Sequence, residues 1–171
     1  LEEAMNTKQE AFTSILSDGA NIHRLNRTIA WSSFFFGAAS GMVIGLWAFD
    51  GPVPAPASMT DYSATARRLL RLGHIAFFGI GYLNLLLAIE LPTLYLSNKL
   101  KLWAAHAMNL ANILLPVTLM AAAAIPQLKY LLPLPVSAAT LALAIAAGAA
   151  FRRVYPIQDE PVQYILREEL K

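Results

Sequence analysis

Residues 102–125 read LWAAHAMNLANILLPVTLMAAAAI, 24 positions without a single Asp, Glu, Lys or Arg. Coiled as a helix at about 1.5 Å per residue, such a run is longer than the roughly 30 Å hydrocarbon core of a bilayer. Three further runs share this character. Residues 28–49 and 134–151 are uncharged, and residues 72–91 are interrupted only by His74 and Glu90. Lipid satisfies no backbone N–H or C=O, so each run is read as a transmembrane helix.

The whole-chain composition agrees. Of 171 residues, 57% are apolar and 14% charged, against about 45–50% and about 25% in ordinary soluble domains. A chain this small cannot hide so much apolar surface from water. Nucleic-acid modules, disordered chains and collagen-like chains are thereby excluded. The sequence has no cysteine, which excludes disulfides, thiolate metal sites and covalently attached c-type haem.

Short connections make consecutive spans antiparallel neighbours, so the expected fold is an all-α, integral-membrane, up-down-up-down four-helix bundle forming one domain. Before it, residues 1–22 place Ala4, Met5, Phe12, Ile15 and Leu16 roughly on one face. That predicts an amphipathic helix at the headgroups, stopped at Gly19 and followed by a cap at Asn21. Residues 152–171 form a tail. Nine Lys and Arg fall on the side of both termini and four on the other, which predicts cytoplasmic termini in a bacterial inner membrane.

Gly37, Gly41 and Gly45 recur every fourth residue in the first span, with Ser33 extending the stripe. Such a face predicts close approach of another backbone. Ala138, Ala142, Ala146 and Ala150 form a similar stripe in the last span.

Polar groups in lipid are costly and turn inward. With His106 at 0° and 100° per residue, Asn109, Asn112, Pro116 and Met120 fall at about −60°, −120°, −80° and −40°. One inward arc of about 120° holds all five. Pro116 frees the carbonyl of Asn112 from its helical bond. Asn84 lies at similar depth, predicting a midplane cluster of Asn84, Asn109 and Asn112. Interhelical glue and ligand contact both fit that cluster. Glu90 and His106 lie at matching depth on adjacent spans and are expected to pair, as a structural bond or a proton relay. His74 and His106 fall on opposite sides of the bilayer, on the order of 20 Å apart, so they cannot ligate one haem together.

His74 lies just below the outer interface, flanked by Gly73, Phe77, Phe78, Gly79 and Gly81. An imidazole so placed can ligate haem b iron or a (bacterio)chlorophyll magnesium, with Met120 as a possible second haem ligand. A bond to a carbonyl or to Asp61 is the plainer alternative.

Residues 41–84 combine a glycine-rich first span, a Pro-containing loop, and a second span entered through Arg71-Leu72-Gly73-His74 and continued by Phe77-Phe78-Gly79. In layout this resembles the first two helices of haem–copper oxidase subunit I. The resemblance implies that His74 ligates a low-spin haem. The chain has four spans where that family has twelve, and no clustered copper-site histidines.

The expected function is therefore that of a small membrane subunit of a respiratory or photosynthetic electron-transfer complex. It would bind haem or quinone through His74, His106, Asn84, Asn109, Asn112 and Glu90, and its partners would be other membrane subunits and lipid. No nucleophile–base pair, phosphate loop or metal-ligand cluster suggests catalysis by this chain alone. A non-catalytic structural or assembly subunit and a pigment-binding subunit are the alternatives. A transporter or proton channel ranks last, because too few polar residues line a path.

Overall fold

The computed structural model describes the backbone of residues 2–48, 51–57, 61 and 64–154, and the side chains within these ranges from residue 23 to residue 152. Four α-helices follow one another: α1 (Glu2–Gly45), α2 (Thr65–Glu90), α3 (Asn98–Ala124) and α4 (Pro133–Val154). No strand occurs among the described residues. Within the helical stretches, His23–Gly45, Thr65–Thr93, Asn98–Ala124 and Pro126–Arg152 are each long and apolar enough to cross a membrane. By that length and composition the chain is an integral membrane protein with a four-helix bundle. Its outer surface agrees: Trp31, Phe35, Met42, Ile75, Tyr82 and Val117 all face away from the bundle.

Two boundaries differ from the sequence reading. Gly19 does not stop a helix, and Asn21 does not begin another, because α1 is continuous across both. Glycine weakens a helix interior by only about 1 kcal/mol, which neighbouring turns absorb. The proposed apolar face of residues 1–22 and the tail beyond residue 154 lie outside the described side chains and backbone respectively. The second helix also starts earlier than residue 72, at Thr65. Three arginines therefore ride on its first turns, and Arg67 Nη2 donates to the carbonyl of Trp47 at 2.6 Å, tying this end to the end of α1.

Side-chain contacts fix the relative directions. Along α1, Asn26, Ser33 and Gly37 meet Asn84, Phe77 and His74 of α2 in descending order, so the two helices run antiparallel. Likewise Asn84 meets Asn109 while Gly73 meets Met120, which sets α3 antiparallel to α2. Helix α3 begins at a Ser97 cap, whose Oγ accepts from the Leu100 amide at 3.4 Å, and continues through Pro116. The apolar core joins α2, the turn that follows it, α3 and α4 through Leu87, Leu91, Ala104, Met108 and Ala142. Ala142 is fully buried there while Ala150 is exposed, so the alanine stripe of α4 is used over part of its length.

The glycines of α1 accept side chains where the sequence suggested a backbone. A Cβ on Gly37 would meet the ring of Phe78 at 2.7 Å, one on Gly41 would meet His74 Cε1 at 2.5 Å, and Gly45 faces open space. Small residues on α1 thus make room for the rings of α2. The arrangement reverses one turn deeper, where Gly81 of α2 makes room for Phe34 and Ser33.

Candidate functional site: an amide ring and an apolar cleft

Three buried asparagines, one from each of α1, α2 and α3, close a ring of hydrogen bonds. Asn26 Nδ2 donates to Asn84 Oδ1 at 2.8 Å, Asn84 Nδ2 to Asn109 Oδ1 at 2.9 Å, and Asn109 Nδ2 to Asn26 Oδ1 at 2.8 Å. Two backbone carbonyls set the direction of travel: Ala105 O accepts from Asn26 Nδ2 and Asn26 O from Asn84 Nδ2, both at 3.4 Å. Interhelical side-chain bonds in membranes average about 0.6 kcal/mol and reach about 1.7, so three amount to roughly 2–5 kcal/mol.

The expected cluster of Asn84, Asn109 and Asn112 is thus only partly assembled. Asn26 takes the third place, and Asn84 bonds into the ring instead of to the carbonyl opposite Pro116. Arg24 and Arg27 flank Asn26 and read as headgroup residues, which masks it in the sequence. The signal was present, however: Asn26, Ala30, Ser33, Gly37 and Gly41 follow i, i+4, i+7, i+11, i+15, the repeat of one helical face.

Asn112 stands apart, three residues further along α3. It is 1% exposed, and neither its Nδ2 nor its Oδ1 has a hydrogen-bond partner. Leaving a buried polar group unsatisfied costs about 1–3 kcal/mol. Beside it opens a cleft of about 290 Å³, lined by Ile29, Ser32, Ser33 and Phe36 of α1, Phe77 of α2, and Asn112, Ile113 and Val117 of α3. The walls are almost wholly apolar. Ser33 Oγ is already committed, donating to the Phe77 carbonyl at 2.7 Å. Phe36 and Phe77 form an aromatic pair, centroids 6.2 Å apart and planes 33° apart. The volume suits one six-membered ring with the start of a chain.

His74 is half-buried between α1 and α2. Its Nδ1 lies 2.8 Å from the Gly37 carbonyl and 3.3 Å from Ser40 Oγ, and its ring meets Phe78 edge-on at 5.3 Å. With Nδ1–H given to Gly37, Nε2 is the ring nitrogen left to accept or ligate. Met120 is not beside it. Its Cγ lies 2.6 Å from where a Cβ on Gly73 would be, on the contact between α2 and α3, whereas the His74 ring faces α1.

The expected bond between Glu90 and His106 is not made. Both are exposed. The Glu90 carboxylate accepts from Thr93 Oγ1 at 3.4 Å, within its own helix end. His106 heads a surface stripe that continues through Leu110, Ile113 and Val117. Matching depth does not make a contact, because rotation about the helix axis decides which way a side chain faces. The inward face of α3 centres on Ala105, Met108, Asn109, Asn112 and Pro116, which leaves His106 beyond its edge.

Among the described residues no group of three His, Cys, Asp or Glu could hold a metal ion. The chain matches no protein-family model, no curated protein and no solved structure. The likeness of residues 41–84 to oxidase subunit I accordingly stands on those residues alone.

Proposed function

We propose that this chain is a small integral-membrane subunit of an electron-transfer complex that holds a lipophilic cofactor, a quinone or a haem, within the bilayer. The observation that carries the reading is the apolar cleft between α1, α2 and α3, walled by Ile29, Phe36, Phe77, Ile113 and Val117. Beside it the Asn112 amide is buried without a partner, an arrangement from which folding alone gains nothing. The chain supplies position and a dry environment, and other subunits supply the electron donor and acceptor. Its Lys and Arg distribution supports cytoplasmic termini, and the reading takes the chain as an up-down bundle in a bacterial inner membrane.

A haem at His74 is the second reading, favoured by the bond that fixes Nδ1 on Gly37 and leaves Nε2 for an axial position. A second ligand would then come from a partner subunit, since Met120 serves another contact.

The test is purification in mild detergent, followed by a visible spectrum, organic extraction and identification of co-purifying subunits. Retained quinone or haem together with stable partners is the expected result. A colourless, quinone-free protein with stable partners would leave a structural subunit in its place.

A further inference from the structure

We infer that a phospholipid with an anionic head group docks in the groove where α3 begins and α4 ends, its phosphate on Arg152 and the upper part of one acyl chain over Gly148. This groove, of about 200 Å³, is lined by Leu96 in the turn before α3, Leu100 of α3, and Ala144, Ile145, Gly148 and Arg152 of α4. At 100° per residue, with Arg152 at 0°, Ala144, Ile145 and Gly148 fall at about −80°, +20° and −40°. Arg152 therefore stands on the groove's own face, at its end. A Cβ on Gly148 would meet nothing within 4 Å, so the groove is open there.

Depth sets the class of occupant. Arg152 closes the membrane-crossing stretch Pro126–Arg152, and Leu100 lies in the first turn of Asn98–Ala124. The groove thus begins at the head groups and reaches Ala144 about 12 Å deeper, at about 1.5 Å per residue. Leu141 stands next on that face, 47% exposed, and ends the smooth stretch. A neighbouring transmembrane helix needs a seam running the roughly 30 Å of the hydrocarbon core, whereas the first part of an acyl chain fits a groove this short. Charge selects the head group. Arg152 is exposed, and no hydrogen bond or ion pair ties its guanidinium to another described residue. Guanidinium groups pair with phosphate oxygens two at a time, and basic sites between membrane helices hold anionic head groups. Lys99, exposed at the same end, adds to the positive field. A zwitterionic head group brings an ammonium of its own into that field, and an anionic one does not.

Native mass spectrometry of the purified, delipidated full-length protein tests the inference, with dioleoylphosphatidylglycerol and dioleoylphosphatidylcholine as probes. The expected result is one tight adduct of the glycerol lipid, favoured over the choline lipid by at least about fivefold, the factor that one interfacial cation supplies. Arg152→Gln should erase that preference, and Gly148→Leu, which fills the groove, should remove the adduct. Both positions are exposed, so neither substitution disturbs the core. Arg68→Gln, an exposed cation at the other end of the bundle, should change nothing. Equal binding of the two lipids by the wild-type protein, or undiminished preference in Arg152→Gln, overturns the inference. In intact membranes, benzophenone maleimide on Gly148→Cys should label lipid. A cross-link from that position to another polypeptide overturns the inference and makes the groove a subunit contact.

Discussion

The imidazole of His74 occupies the space that a side chain on Gly41 would need, its Cε1 lying 2.5 Å from the position of that missing Cβ. Even a methyl group at Gly41 must therefore displace the ring and loosen its bond to Gly37. Gly41→Ala should destabilise the protein by about 1–3 kcal/mol, as overpacking generally does. Gly45→Ala, which meets nothing, should be close to neutral. Reversible unfolding in mixed micelles gives both values, and His74→Ala added to Gly41→Ala should recover much of the loss. Equal effects of the two glycine substitutions would contradict this packing.

Asn84 gives and receives a bond in the amide ring. Asn84→Leu takes the donor from Asn109 Oδ1 and one acceptor from Asn26 Nδ2, and should cost about 1–3 kcal/mol. Because the ring can be broken only once, Asn84→Leu and Asn109→Leu together should cost clearly less than the sum of the two. The double-mutant cycle should show coupling of about 0.5–3 kcal/mol. Simple additivity would mean that the three amides do not act together.

Asn112→Leu should behave in the opposite way. It removes two polar atoms that have no partners, so the unfolding midpoint should stay level or rise. Asn109→Leu, three residues away on the same helix, should lower it. A clear destabilisation by Asn112→Leu in cofactor-free protein would show that its amide is bonded within the fold.

The absence of cysteine makes topology directly measurable. Single cysteines at Val53 and Lys99, probed in intact cells with a membrane-impermeant maleimide, should label at Val53 and be protected at Lys99. The reverse pattern would invert the orientation drawn from the Lys and Arg distribution.

The four spans were legible because lipid imposes a composition and a length that no local detail can disguise. Asn84 and Asn109 were legible for the same reason, as amides where amides are costly. Asn26 was obscured by Arg24 and Arg27, whose long stems let a helix carry charge near an interface while its inner face continues unchanged. His106 and Glu90 show another limit. Residue counting gives depth along a helix to within a turn, but rotation about the axis depends on which neighbours pack against it. For α3, α1, α2 and α4 all pack against the helix, and together they turn His106 outward.

A ring of three amides cannot be closed by two helices. Any pair among α1, α2 and α3 leaves one amide oxygen without its donor, and only arrival of the third supplies it. The energy of the ring is thus a three-body quantity, realised at the last docking step. Until then the nascent chain displays an open amide inside the bilayer. The protein consequently carries its own completeness check, in which a missing or misplaced helix is registered as an unquenched polar group in the membrane.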